Sequence, residues 1–350
     1  MHLLFWIFNE ILNSVLAELP LEHIHSSQYL HDNENPDNQH FLAFGYTNLS
    51  FTHAESPVWD PDIQMLYWVD VLNQDVHALE YYTGNHKVKH ISYGEVNVIV
   101  PVKNSSRLLI GVRSEVYLLD WNREGDAALR HIAVLDPTKP DNILNEGKAD
   151  AYGRFWGGTK GPQNRDKVEL DQAALYSMEK PCYQPHIHLK PVTLSNGLVW
   201  SLNNSVLFYI DSATSKIEAF DYNLDKGEIS NRRLILDIKE YGYTKSCPDG
   251  MTIDRNGMLW VALMFDGSII RINPDARYVI EKYKLPVSRT TSLTWAGRDL
   301  SDLIVTTSRR NMDEDELSRE ALSGAIFILH GMGTSGVPDH KVVFPNADTY

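Results

Sequence analysis

The sequence predicts an all-β fold, a six-bladed β-propeller, on two observations. From about Asn48 onward, short runs rich in β-branched and aromatic residues alternate with turn signals such as Asp-Ala-Tyr-Gly and Asp-Arg-Asn-Gly. Units of a turn followed by a strand also recur with a period of roughly 45–55 residues. The units begin near Asp60, Asn104, Asp150, Asn203, Asp254 and Ser301. Four strands in each of about six units make a propeller.

The individual elements fit this arrangement. The predicted strands include the runs LYWVDV, LLIGV, VYLLD, FWGGT, ALYSM, VLFYID, IEAFDY, LWVAL, SIIRI, LIVTT and AIFIL. One short helix is expected within residues 313–322. A β-sandwich would need fewer strands, and a barrel of alternating strands and helices would need helices that the pattern lacks.

Composition excludes several classes of protein. The chain has 350 residues, with 32 basic and 46 acidic side chains and a formal charge of −14, which argues against a nucleic-acid partner. Its two cysteines, Cys182 and Cys247, form no CxxC motif, so zinc-ribbon and thioredoxin chemistry are excluded. The Arg309-Arg310 pair is expected at the surface.

The chain divides into a leader, residues 1–45, and the propeller, residues 46–350. Residues 1–17 resemble a signal peptide, but Asn9 and Glu10 interrupt the apolar run and no basic residue precedes it. If residues 1–17 are not a signal peptide, the leader is expected to be disordered. The apolar run is too short to span a membrane. The interrupted apolar run and the low cysteine count favour a cytoplasmic protein, with secretion as the alternative if residues 1–17 are cleaved. The protein is expected to be a monomer.

A short acidic or amide residue precedes four of the turns by a nearly constant distance. Glu55, Asn145 and Asp249 lie five positions before their turns, and Asn196 lies seven before its own. The entries of the inner strands face one another across the mouth of a propeller channel, so these side chains are expected to converge. Two carboxylates and two amides make an oxygen-rich site for a hard divalent cation. Two of these residues also form Asp-Gly and Asn-Gly, which are ordinary turn dipeptides.

Several segments resemble those of the regucalcin, or senescence marker protein 30, and gluconolactonase family, and mark this chain as a divergent member. They are ESPVWDP, NEGKAD-x-x-GRFWGGT, LSNGLVWSLN and PDGMTID-x-x-G-x-LWVA. The resemblance implies a six-bladed propeller with one divalent ion in the channel (Ca²⁺, Zn²⁺, Mn²⁺ or Mg²⁺) and hydrolysis of a small lactone. It implies metal ligation by Glu55, Asn196 and Asp249, and a substrate contact by Asn145.

The chain departs from the family in the residues expected to bind substrate. Ile143 stands where the family usually has Arg, Glu146 replaces an Asp, and Gln163 lies where a Glu is expected. The leading hypothesis is a metal-dependent lactonase with Asp249 as general base. The alternatives are a calcium-binding regulator with little catalysis, and a hydrolase of a less polar lactone or ester in a pocket that Ile143 makes more apolar.

Overall fold

A computed structural model describes residues 27–30, 41–45 and 50–344 and has the predicted propeller architecture, with six antiparallel sheets. The first blade contains β3 (Ala54–Asp60), β4 (Met65–Asp70), β5 (Asp75–Glu80) and β6 (His86–His90). The second contains β7 (Val96–Pro101), β8 (Arg107–Val112), β9 (Glu115–Asp120) and β10 (Leu129–Val134). The third contains β11 (Ile143–Ala149), β12 (Phe155–Lys160), β15 (Ala173–Met178) and β16 (His186–Val192), with a small hairpin of β13 (Gln163–Asn164) and β14 (Lys167–Val168).

The fourth blade contains β17 (Ser195–Trp200), β18 (Val206–Asp211), β19 (Lys216–Asn223) and β20 (Glu228–Asp237). The fifth contains β21 (Cys247–Ile253), β22 (Leu259–Met264), β23 (Ser268–Asn273) and β24 (Tyr278–Lys284). The sixth contains β25 (Thr290–Ala296), β26 (Asp302–Thr307) and β27 (Phe327–His330), followed in the sheet by β2 (Phe41–Gly45) and β1 (Ser27–Leu30). The predicted helix is α1 (Glu314–Arg319), which begins in a capping box formed by Asp313 and Glu316.

The ring of blades is closed by pairing between distant parts of the chain. The backbone of β2 pairs antiparallel with β27, and β1 adds a fifth strand to the same sheet. The sequence analysis placed residues 27–45 in the leader, whereas the structure places two strands of the sixth blade there. The sequence pattern did not reveal this because β2 is separated from its partner by the whole propeller. The expected signal peptide, residues 1–17, lies outside the described residues.

The blades are held together by apolar faces packed against their neighbours. The second strands of the blades read as nearly continuous apolar runs, and β8, β12 and β26 are almost wholly buried. Such runs are expected where a sheet is covered on both faces. Indole rings fill the spaces between sheets: Trp156 meets Trp200 edge to face at 6.0 Å, and Trp260 meets Trp295 at 5.3 Å. These tryptophans are therefore packing residues.

The repeated aspartates form the turns between the first two strands of the blades. Asp150 Oδ1 accepts the backbone N–H groups of Tyr152 and Arg154, both at 2.9 Å. Asp254 Oδ1 accepts those of Asn256 (2.8 Å) and Met258 (3.0 Å). A carboxylate that replaces main-chain hydrogen bonds in this way defines an Asx turn. The repeat thus encodes the turn that separates the first two strands of a blade.

Residues 333–344, which we call the C-terminal strap, cross the end of the channel where these turns lie. The strap forms main-chain hydrogen bonds with Leu300, Arg255, Pro101 and Gly153, which belong to four different blades. Lys341 of the strap also binds Asp60 Oδ1 of the first blade at 2.6 Å, so the strap contacts five blades in all. Asp339 of the strap binds inner-strand residues Lys148 (3.2 Å) and Thr294 (3.0 Å). The strap therefore covers this mouth of the channel.

No helix in the described part of the chain is long and apolar enough to cross a membrane.

Candidate functional site

The four residues singled out by the repeat lie at β-bulges near the beginnings of four inner strands. The pairing register shifts after Glu55 in β3, around Asn145 in β11, around Asn196 in β17 and around Asp249 in β21. A bulge bends its strand and redirects a side chain. Because the inner strands contact one another in a closed ring, the same bulge in successive blades directs side chains toward one place.

All four side chains line one cavity of about 70 Å³. Glu55 lies five strand positions before its turn at Asp60, a distance of about 17 Å. The cavity is therefore at the opposite mouth of the channel from the strap. Gln163, another polar residue assigned to substrate, also lines it. The structure thus brings together five of the seven residues predicted for the site.

The two amides are held by hydrogen bonds from their nitrogen atoms. Asn145 Nδ2 donates to the carbonyl of Ser195 at 2.9 Å, and Asn196 Nδ2 donates to Ser212 Oγ at 2.9 Å. The Ser212 hydroxyl itself donates to Pro248 O at 2.6 Å. Since the hydroxyl proton is used in that bond, Ser212 acts as acceptor for Asn196 and fixes which end of the amide faces it. Neither amide oxygen forms a hydrogen bond within the described residues, so both can face a ligand.

The two carboxylates are buried close enough to repel each other. Burial, and then the charge of Asp249, raise the pKa of Glu55 well above its usual value. Burial, and then the charge of Glu146, raise the pKa of Asp249 well above its usual value. Buried carboxylates of like charge are stabilised in their ionised form by a cation between them. Neither forms an ion pair with Lys or Arg among the residues that the structure describes.

The donor set fits a hard divalent cation rather than a thiolate or imidazole metal. It offers two carboxylates and two amide oxygens, which is the ligand chemistry of Ca²⁺ or Mg²⁺ and also accommodates Mn²⁺. In the described ranges no cluster of three or more His, Cys, Asp or Glu side chains has metal-binding geometry. The donor set at the cavity contains only two such residues, Glu55 and Asp249, and its other two donors are amides.

Two of the predicted substrate residues lie away from the cavity. Glu146 follows the bulge and lies deeper in the channel, where it lines a small void with Lys148 and Asp339. Its Oε1 accepts the N–H of Gly147 at 2.9 Å. Ile143 does not line the cavity, although its cross-strand partner does. The bulge at Asn145 brings this residue to the cavity, whereas Ile143 and Glu146, its near neighbours in the sequence, lie outside the lining. Spacing in the sequence does not show this separation.

Three basic residues of the cavity were missed by the sequence analysis. Lys160 ends β12, His53 precedes β3, and Arg310 follows β26. Arg310 is half-buried and lines the cavity, so the expectation that it lies in a surface pair was wrong. Burial lowers the pKa of Lys160 to about 8. Burial, and then the charge of Lys160, lower the pKa of His53 well below its usual value, so this imidazole is neutral.

Asn97 occupies the equivalent bulge of the second blade and was also missed. The register shifts between Val96 and Val98, and the side chain is buried with no described partner for Nδ2. A signal existed in the sequence, because Asn97 lies seven positions before Asn104, the same spacing as Asn196 and Asn203.

The fold and the site together define a class: six-bladed propellers with an oxygen-rich site at one mouth of the channel. The sequence matches the family described as the SMP-30/Gluconolactonase/LRE-like region over residues 53–309. The chain belongs to this family.

Relatives and solved structures agree with this assignment. Regucalcin of Gallus gallus is 36% identical over 288 residues, which cover 82% of this chain and 93% of that protein. A luciferin-regenerating enzyme has a TM-score of 0.78 at 26% identity, covering 84% of this chain and 96% of the other. A regucalcin from Agrobacterium tumefaciens, described as a calcium-binding protein, has a TM-score of 0.75 at 22% identity, covering 85% and 95%. The last similarity concerns the fold alone.

Proposed function

We propose that the protein is a metal-dependent lactonase that hydrolyses sugar lactones such as gluconolactone. The observation that carries the proposal is the convergence of Glu55, Asn145, Asn196 and Asp249 from four blades on one cavity. Membership of a family named in part for gluconolactonase supports the reaction class. Glu55, Asn196 and Asp249 would hold the cation, and Asn145 would orient the lactone ring.

The reaction needs a base, a way to stabilise negative charge on the carbonyl oxygen, and a proton for the leaving oxygen. A bound divalent ion would supply Lewis-acid polarisation of the lactone carbonyl. Asp249 would take a proton from water as the water oxygen bonds to the carbonyl carbon. The bond from that carbon to the ring oxygen then breaks, and the ring oxygen receives the proton. The product is an open-chain hydroxy acid, which ionises at neutral pH.

The site chemistry suits Asp249 for the general-base role. Its carboxylate lines the cavity beside Asn145 and forms no ion pair with Lys or Arg among the described residues, so it can accept a proton from water in the cavity. The neutral His53 Nε2 lies 3.9 Å from Glu55 Oε1, and His53 Nδ1 lies 2.8 Å from Ser308 Oγ. This ring therefore packs beside the carboxylate without adding positive charge.

Hydrolysis of D-glucono-1,5-lactone by metal-stripped protein, then by protein resupplied with zinc, manganese or calcium, tests the proposal. We expect turnover only with metal, and its loss in Asp249→Ala with the fold intact. Asp275→Asn, which changes an exposed carboxylate in a distant turn, is the matched control. Turnover that persists in Asp249→Ala would contradict the assigned mechanism.

The second candidate is a calcium-binding protein with little catalysis. It is supported by the all-oxygen donor set and by the altered residues Ile143 and Gln163 of the substrate shell. Calcium-dependent thermal stabilisation with no turnover of any lactone would favour this candidate. The third hypothesis, a less polar substrate, is disfavoured because Lys160 and Arg310 line the cavity.

A further inference from the structure

The ammonium of Lys160 is a buried cation that faces the candidate site without a partner. The residue is 3% exposed and lines the cavity. Among residues 50–344, none forms a hydrogen bond or an ion pair with its Nζ. Burying an unpaired charge is costly, so such residues are rare unless a ligand completes them.

Arg310 brings a second positive charge to the same cavity. Its Nη1 donates to Gln163 Oε1 at 3.4 Å, and in the described part of the chain it has no acidic partner. Both cations line this cavity, and after burial itself the charge of Arg310 contributes most to lowering the pKa of Lys160. The carboxylates of Glu95, Glu55 and Asp249 act to raise the pKa of Lys160, but none of them forms an ion pair with it among the described residues, and Glu95 lies outside the cavity lining.

The charges around the cavity do not balance once the cation site is filled. A divalent ion would neutralise Glu55 and Asp249. The third acid of the lining, Asp166, lies 3.8 Å from Arg289 and accepts a hydrogen bond from Asn311 at 2.9 Å. Within the lining, Lys160 and Arg310 are therefore left without an acidic partner, with Glu95 outside it, and a neutral sugar lactone would supply none.

We propose that the substrate is a lactone carrying an anionic group, a carboxylate or a phosphate ester, which Lys160 and Arg310 bind. This inference rests on the proposed lactonase function and adds to it the substrate class. The anionic group would lie on the side of the cavity formed by the end of β12 and the loop after β26. The lactone carbonyl would lie beside Glu55 and Asp249.

A matched pair of substrates tests the charge requirement. D-Glucono-1,4-lactone and D-glucaro-1,4-lactone differ only in a hydroxymethyl group or a carboxylate at C6, and 6-phospho-D-glucono-1,5-lactone supplies the phosphate arm. We expect an anionic lactone to be preferred in kcat/KM by about 10- to 100-fold, the effect of one or two hydrogen bonds to a charged group. The carboxylate and phosphate arms show which group is preferred.

Lys160→Met and Arg310→Met should each remove most of this preference, chiefly through KM. The readout is the ratio of kcat/KM for the anionic and the neutral lactone, because the Lys160 charge also acts on Asp249 and Glu55 and its loss can change turnover of both lactones. Lys226→Met, at an exposed lysine of the fourth blade, is the charge-matched control and should change neither substrate. An equal loss on both substrates would mean that Lys160 binds a hydroxyl group, and would overturn the proposal. A wild-type preference for the neutral lactone would also overturn it.

Sulfate binding separates failure of this inference from failure of the lactonase function. Calorimetry with manganese-loaded protein and sulfate should show binding that Lys160→Met abolishes. If no lactone is hydrolysed but sulfate binds in this way, the anion site stands and the lactonase function fails. If lactones are hydrolysed with no charge preference and sulfate does not bind, the lactonase stands and the anion site is refuted.

Discussion

Ile143 and Lys160 are directly opposite each other in the antiparallel ladder of β11 and β12. Residues paired in this way have neighbouring side chains on one face of the sheet. The apolar residue that suggested a less polar pocket therefore has a buried ammonium as its neighbour. The polarity of this part of the site is set by the partner strand, which local sequence around Ile143 does not reveal.

Replacing Lys160 with methionine should stabilise the metal-free protein. Below pH 8 the ammonium is protonated in the folded and the unfolded chain, and burying it costs about 3 kcal/mol, from a pKa lowered from 10.5 to about 8. Above pH 10.5 the amine is neutral in both states and the cost vanishes. Lys160→Met should therefore unfold at a higher temperature at pH 7, and its advantage should shrink as pH rises between these values.

Denaturant unfolding of both proteins at pH 7, 9 and 10 measures this difference, with Lys226→Met as control. An advantage that stays constant across these pH values would contradict the inferred burial of the charge.

Replacing Glu55 with glutamine should separate metal binding from folding. Removing one of two buried carboxylates relieves their repulsion, so the metal-free variant should gain about 1–2 kcal/mol of stability near neutral pH. It should also lose the thermal stabilisation produced by calcium or manganese in the wild type. Scanning calorimetry with and without metal measures both effects. Glu228→Gln, at an exposed carboxylate, should change neither; a metal response retained by Glu55→Gln would remove Glu55 from the ligand set.

Gly250 holds the bulge of Asp249 against the neighbouring blade. A Cβ on Gly250 would lie 2.2 Å from Ser292 Oγ and 2.6 Å from Ser292 Cβ. Gly250→Ala should therefore cost about 1–3 kcal/mol and move the Asp249 carboxylate, which weakens metal binding. Adding Ser292→Gly should recover part of both losses. Unchanged stability and metal affinity in Gly250→Ala would show that the two blades are not in close contact at this position.

Asp339 should matter for stability and not for metal binding. Its carboxylate binds Lys148 at 3.2 Å and Thr294 at 3.0 Å at the mouth far from the candidate site. Asp339→Ala should cost about 1–3 kcal/mol because partly buried partners lose their acceptor. A double-mutant cycle with Lys148→Met isolates the ion pair from other effects of the substitution. A large fall in metal affinity in Asp339→Ala would contradict the separation of the two mouths.

Local sequence patterns predicted much of the fold and the convergence of the site, for a physical reason. The first, third and fifth blades use the same Asx turn, at Asp60, Asp150 and Asp254, with a bulge about five residues before it, so equal spacing means equal position in the ring. Features that depend on distant pairing were not predictable in this way. The pairing of β2 with β27 joins residues that lie at opposite ends of the propeller sequence. Lys160 and Arg310 reach the cavity from the ends of other strands, and neither follows the repeat.

The C-terminal strap makes the channel a passage with one open end. Asp339 lies between β11 and β25, so under the proposed lactonase function a substrate at Asp249 would leave through the mouth by which it entered. Product and incoming substrate would then compete for the same path, and the product would carry the carboxylate formed by ring opening. One opening would thus serve for both entry and exit, and the affinity of that opening for carboxylates would set the rate of product release.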